Sequence, residues 1–339
     1  MAGASGLTKI ALQSLLTQLD EIEDGPGGGV ITFPGGRLEV SNLGKTFWPG
    51  GSKRTRPTLT KGDLFRHYVR VAPLILPVLA DRPLVMKRYP NGIAGAPFYQ
   101  HRAPDKVPPG VRIERVTTGS ETRPHLIGGS LATLLYTAQL GSISQDPWFS
   151  RAGSSDEIDH VAIDLDPPED LPFTHVLDVA RWVRDALATV KVTGFAKTSG
   201  AGGLHVYVPM RAGTTYESGF LFAQIMAAMV AERHPKEATI ERSIKARGRR
   251  VYVDYMQNVL GKTLASAYSA RASEFAGVST PITWEEVEDG VLPRDFTVAN
   301  FDRRMKDAGD VWEGLRKSKG ADLGSFKRTT EARGHGVKR

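Results

Sequence analysis

Apolar residues recur at helical spacing in five stretches of the chain. Leu12, Leu15, Leu16 and Leu19 share one face of a short helix over 7–23. Leu64, Phe65, Tyr68, Val71, Ile75 and Leu79 form the stripe of a longer helix over 61–79, with Thr60 placed to cap it; Pro73 and Pro77 argue against its second half. Residues 131–141 read as a buried helix ended by Gly141. Val176, Leu177, Ala180, Val183 and Leu187 face inward from a helix over 174–190, and a fifth helix runs through 217–233. Between them the period drops to two, in HVAIDLD at 160–166, LHVYVPM at 204–210 and VYVDY at 251–255. Residues 37–48 read as a strand and turn. GPGGG at 25–29 breaks the chain and sets off a lead segment, 1–30. Long helices between short strands predict an α/β or α+β domain over 31–315, followed by a basic tail, 316–339, expected to be flexible.

Composition narrows the picture. Of 339 residues, 40% are hydrophobic and 24% charged, an ordinary globular balance with enough chain for a proper core. No apolar run approaches the roughly 20 residues of a membrane span, and no signal peptide is read, so a cytoplasmic protein without a membrane partner is expected. Cysteine is absent, which excludes disulfides, thiolate zinc sites and cysteine nucleophiles. The net charge of +7 points to a polyanion, but eight basic and two acidic residues in 316–339 carry six of those seven charges. Any nucleic-acid argument must therefore rest on clusters before residue 316.

The alternation within HVAIDLD sends Val161, Ile163 and Leu165 to one face and Asp164 and Asp166 to the other. Two neighbouring carboxylates repel, and a divalent cation with a taste for oxygen, Mg2+ or Mn2+, removes that cost. In VYVDY, Tyr252 and Asp254 share a face. If the two strands are neighbours, three carboxylates meet as in a two-metal phosphoryl-transfer site. Asp-x-Asp ahead of Pro-Pro is also simply a strand end, and the same pair occurs in sugar-nucleotide glycosyltransferases and phosphatases. KTSGAGGLH at 197–205 adds a glycine-rich turn (Gly200, Gly202, Gly203) whose backbone amides can face an anion, with Ser199 and His205 at its ends. A tight turn with a surface histidine is the plainer reading of that stretch. The GKT sequences at 44–46 and 261–263 lack the glycine that a phosphate-binding P-loop requires.

Asp164-Leu165-Asp166-Pro167, then SGxxGxH, then VDY-x-QN at 253–258, resembles in order and kind the polymerase domain of bacterial ligase D, within the archaeo-eukaryotic primase superfamily, and in particular its stand-alone ligase C-associated members. The resemblance runs from about Leu38 to Leu315. It implies a primase-polymerase fold whose central sheet carries the acidic triad, and two Mn2+ or Mg2+ ions held by Asp164, Asp166 and Asp254. It also implies an NTP or dNTP substrate contacted by Ser199, His205, Arg247 (with Lys245 an alternative), Arg271, Lys87 and Gln257. SNLGKTFWP and TKGD give Asn42, Lys45 and Lys61 as a site for the 5′-phosphate of a downstream strand. MKRYPNG and PFYQH give Arg88, Phe98 and Tyr99 for base stacking and backbone contact. Core packing is the plainer role for the two aromatics. Lys53, Arg54 and Arg56 lie in a loop placed to touch DNA or to be merely solvated.

The chain departs from the family where Gly202 replaces a frequent lysine of the glycine-rich motif. No lysine-nucleotidylation motif of a ligase appears. The implied activity is template-dependent nucleotide addition that fills short gaps or ends in DNA repair and accepts or prefers ribonucleotides. The implied partners are gapped or broken DNA with a 5′-phosphate and a separate ATP-dependent DNA ligase, with the chain itself a monomer. Two other classes remain open on the residues: a non-catalytic DNA-end module that reads a 5′-phosphate, and a metal-dependent glycosyltransferase or phosphoesterase built on the Asp-x-Asp pair.

Overall fold

The computed structural model describes residues 7–51 and 56–324. Lys53 and Arg54 lie outside the described residues. The central element is a six-stranded sheet in the order 238–239, 251–254, 160–166, 204–209, 195–198, 281–282. All neighbours are antiparallel except the first pair. Two helices, α4 (Phe173–Thr189) and α5 (Tyr216–Arg233), cover one face. Gly219 of α5 lets them come close: a Cβ there would meet Ile158 Cδ1 at 2.2 Å and Val161 Cγ1 at 2.9 Å. Val161, Ile163, Leu165, Val206 and Val208 are fully buried. The other face of the same strands is left for polar side chains.

Three helices build the N-terminal half: α1 (Lys9–Asp24), α2 (Lys61–Leu79) and α3 (Leu131–Gln139). Thr60 caps α2 with a full capping box, its hydroxyl accepting from Asp63 N while Asp63 accepts from Thr60 N. The helix continues through Pro73 and Pro77 to Leu79, contrary to the expectation of a break. Complete burial of Ile75 and near-complete burial of Leu76 and Leu79 offset the backbone bonds the prolines remove.

The lead segment does not stand apart. Leu15 and Leu19 of α1 are fully buried in the common core, and Arg66 of α2 pairs with Asp20 (2.7 Å) and with Glu23. The boundary expected at residue 30 falls inside the strand Gly28–Phe33, which pairs with Gly36–Ser41. The basic tail begins as ordered chain: Arg316 pairs with Asp310, and Ala321 bridges to Met210. Residues 325–339 lie outside the described residues. A small three-stranded sheet, 98–100, 84–88 and 146–147, stands beside the central one and brings Lys87, Tyr99 and Asp146 to the cleft described below. No described helix is long and apolar enough to cross a membrane.

Candidate active site

Strand register assembles the site. Lys197 pairs with His205, His205 with Asp164, and Asp164 with Asp254, so four chemically active side chains lie in one row across four strands. Asp166 pairs with Tyr252 two positions along, on the same face. Asp164, Asp166 and Asp254 each present an oxygen within 4.8 Å of the others. Asn258, wholly buried, locks the third carboxylate's strand to the first: it accepts from Ala162 N (2.8 Å) and donates to Ala162 O (2.7 Å) and Tyr255 O (2.8 Å).

The three carboxylates differ in support. Asp254 accepts from Met256 N (2.7 Å), Tyr252 Oη (3.2 Å) and Gln257 Nε2 (2.9 Å). Asp164 Oδ1 lies 3.2 Å from His205 Nε2, but out of hydrogen-bond alignment; among the described residues this buried oxygen has no hydrogen-bond partner, and neither has His205 Nδ1. Burial, reinforced by the Asp254 charge, pushes the Asp164 carboxyl up to about 7. Burial and then the charges of Asp164 and Asp254 push Asp166 up to about 7. An unpartnered buried carboxylate oxygen among crowded hard-oxygen donors fits a divalent cation of the Mg2+ or Mn2+ type.

A cleft of about 740 Å3 opens over Asp164, Asp166, Ser199, His205 and Arg271. The glycine-rich turn differs from its expected form. Ser199 Oγ accepts from Ala201 N (3.1 Å) and Gly203 N (3.0 Å), so those two amides close the turn and are not free for an anion. The Ser199 hydroxyl proton is what remains to donate. Gly200 holds φ +74°, and a Cβ there would meet Arg271 Cγ at 2.6 Å; glycine allows the arginine to lie against the turn. A Cβ on Gly203 would meet Leu165 O at 2.6 Å, whereas one on Gly202 meets nothing within 4 Å and faces open space. Burial, with the charges of Lys197 and Arg271, holds the His205 imidazole well below its usual range and therefore neutral.

Lys87 and Tyr99 line the same cleft, the ammonium 5.4 Å from the ring centroid. Phe98 and Tyr99 are 46% and 63% exposed, which removes core packing as their role. Arg88 is held by the protein itself, donating to Leu140 O (2.7 Å) and Gln100 Oε1 (2.9 Å) with its guanidinium 5.1 Å from Phe98. Gln257 and Arg247 are not brought to the cleft lining. Gln257 supports Asp254, and Arg247 stacks 3.7 Å over the Tyr252 ring while bonding Glu241 O and Arg242 O. Lys245 stands exposed beside it. Two cleft or near-cleft groups had no sequence expectation. Asp146, bonded by Ser144 Oγ at 2.6 Å, lines the cleft. Lys197, paired with His205, is fully buried in the same row. A lone aspartate before proline and a lysine inside a strand carry no signal until the pairing is known.

A second cluster gathers Lys45, Lys61 and Asn42. Lys61 N donates to Lys45 O (2.8 Å), Lys61 Nζ to Ser41 O (3.0 Å) and Lys45 Nζ to Asn91 Oδ1 (2.8 Å). Asn42 holds φ +57° between them. Burial, then the charges of Lys45 and Arg88, pull the Lys61 ammonium down to about 8. Arg56 pairs with Glu274 at 3.3 Å on the surface.

The family model of the LigD primase-polymerase domain matches residues 60–312. The Bacillus subtilis bifunctional non-homologous end joining protein LigD is 30% identical over 274 residues, which cover 80% of this chain and 43% of that protein. The multifunctional non-homologous end joining protein LigD of Mycolicibacterium smegmatis is 28% identical over 277 residues, 81% of this chain and 35% of that protein. The chain thus spans less than half the length of either relative. The solved polymerase domain of Mycobacterium tuberculosis ligase D in complex with DNA superposes with a TM-score of 0.74 at 29% identity, over 82% of this chain and 98% of that one. The match over most of the chain, together with an acidic triad on the predicted strands, places the chain in the LigD primase-polymerase domain family.

Proposed function

We propose that the chain is a template-dependent DNA nucleotidyltransferase that fills short gaps or ends during break repair, using ribonucleotides at least as well as deoxyribonucleotides. The convergence of Asp164, Asp166 and Asp254 on one sheet face, within 4.8 Å of one another, carries the reading. These residues would hold two divalent cations, Mn2+ or Mg2+. Bound there, the cations would neutralise phosphate charge and favour the deprotonated 3′-hydroxyl. In the reaction the primer 3′-oxygen bonds to the α-phosphorus of the nucleotide, and the bond to pyrophosphate breaks.

The chain's own residues supply placement and charge. The free Ser199 hydroxyl proton and the Arg271 guanidinium face the cleft and would bind the triphosphate. Lys87 adds a further cation, and the exposed faces of Phe98 and Tyr99 would stack unpaired template bases. Tyr252, Gln257 and the Met256 amide fix the Asp254 carboxylate, so its geometry is set before substrate arrives. Lys45, Lys61 and Asn42 would read the 5′-phosphate across the gap, which a separate DNA ligase then seals. Extension of a labelled primer on gapped DNA, with Mn2+ and all four ribonucleotides, tests the reading. Templated single-nucleotide addition supports it, and its absence in the presence of demonstrated DNA binding would leave only an end-binding module.

A further inference from the structure

A fully buried lysine stands in the same row of the sheet as Asp164 and Asp254, and the proposed reaction does not use it. Lys197 occupies the strand Phe195–Thr198 at 0% exposure and never reaches the cleft lining. Its ammonium donates to Ser279 Oγ and stands 5.7 Å from the Tyr207 ring centroid. Burying an ammonium this completely costs far more than burying a methionine of similar length.

The charges around Lys197 explain its presence. Across the sheet come His205 and then Asp164, two strands away by direct register, roughly 10 Å at ordinary strand spacing. Burial and then the Arg271 charge pull the Lys197 ammonium well below the usual lysine range, and the charges of Asp164 and Asp146 work against that shift, in favour of the charged form. His205 is neutral and Tyr207 keeps its proton, because burial and then the Asp164 charge push the phenol up. Lys197 and Arg271 are the basic groups whose charges favour the ionised form of Asp164. Arg271 lines the open cleft where substrate would engage it; Lys197 is fully buried.

We propose that Lys197 is the resident countercharge of the triad, a positioning residue that holds the carboxylates together before metal binds and sets how tightly the site takes a divalent cation. The inference rests on the reading of the triad as a metal site. A positive charge in the same row of the sheet, two strands from Asp164, opposes a dication bound at the triad through the low-dielectric interior between them. Removing it leaves the carboxylates more mutually repulsive when empty and more attractive to Mn2+.

The test is calorimetric titration of Mn2+ into the full chain at pH 8, without DNA or nucleotide, for wild type, Lys197→Met and Asp164→Asn. Wild-type binding is expected to be lost in Asp164→Asn and tightened about tenfold in Lys197→Met. Urea unfolding of the metal-free proteins, with the double variant added, closes a mutant cycle. Lys197→Met should be less tolerated when Asp164 is intact than in the Asp164→Asn background. If Lys197→Met does not fold, Lys197→Gln is measured by the same two assays. Unchanged or weaker Mn2+ binding with an additive cycle would overturn the countercharge role while leaving the metal site standing. No wild-type Mn2+ binding sensitive to Asp164→Asn would overturn both.

Discussion

The Lys45–Lys61 cluster makes a prediction whose size and pH dependence both follow from its geometry. A 5′-phosphate adds about 1.5 to 2 negative charges near neutral pH, a 5′-hydroxyl none. Two unit charges 4 Å apart gain about 1 kcal/mol in water and about 4 kcal/mol at an effective dielectric of 20. Lys61 is 6% exposed yet lies at the surface end of α2, between those limits. A preference of roughly 2 kcal/mol, ~30-fold in affinity, is expected for gapped DNA with the phosphate over the same DNA without it.

The sign with pH is fixed by the depressed Lys61 pKa. The ammonium is present below about 8 and lost above it, and a bound phosphate draws that midpoint upward. The phosphate itself is fully ionised well above its second pKa of about 6. The preference should therefore be full at pH 7 and shrink by pH 9.5. Unfolding is not the cause on this group's account. An unfolded lysine keeps its proton to about 10.4, so between 8 and 10.4 the unfolded chain holds more protons and Lys61 makes folding more favourable as pH rises. Fluorescence anisotropy at fixed salt, with Lys45→Ala/Lys61→Met as comparison, reads the effect. Equal wild-type affinity for the two DNAs, or a preference that survives the double substitution, would refute the pocket.

Three further outcomes are expected. Gly203→Ala should lower extension at least tenfold, because its Cβ would stand 2.6 Å from Leu165 O, while Gly202→Ala, with nothing within 4 Å, stays near wild type in steady-state kinetics; equal behaviour of the two contradicts the turn geometry. Asn258→Leu should lose about 3 kcal/mol of stability, since three hydrogen bonds of a wholly buried side chain go and backbone groups of both acidic strands are left unpaired; thermal melts showing no loss would contradict that role. Single-turnover incorporation should favour ribonucleotides or treat both sugars alike, and a strong deoxyribonucleotide preference would contradict the expected sugar choice.

Periodicity located the five long helices and the three central strands to within a residue or two, because each buries a continuous apolar stripe. It also placed Asp164, Asp166 and Asp254 on polar faces before any pairing was known. Strands such as 84–88, 98–100 and 195–198 were not foreseen. They are three to five residues long, and their pairing partners, not their own pattern, make them strands. The same reason hid Lys197: only the register with His205 shows that it shares a row with the triad. Nor does a resemblance in motif show which bonds a side chain makes within its own chain. Gln257 was grouped with the nucleotide contacts, but its amide is committed to Asp254. Likewise the Ala201 and Gly203 amides are spent on Ser199, a bond internal to the turn that no motif announces.

The account stands or falls on the triad as a centre for templated nucleotide addition. The direct measurement is primer extension on a one-nucleotide gap with Mn2+, comparing wild type with Asp164→Asn and Asp254→Asn, each checked for DNA binding by anisotropy at the same salt. The account predicts addition of the template-complementary nucleotide by wild type, and a loss of at least a hundredfold in both variants with DNA affinity nearly unchanged. Extension by either variant at the wild-type rate would contradict it.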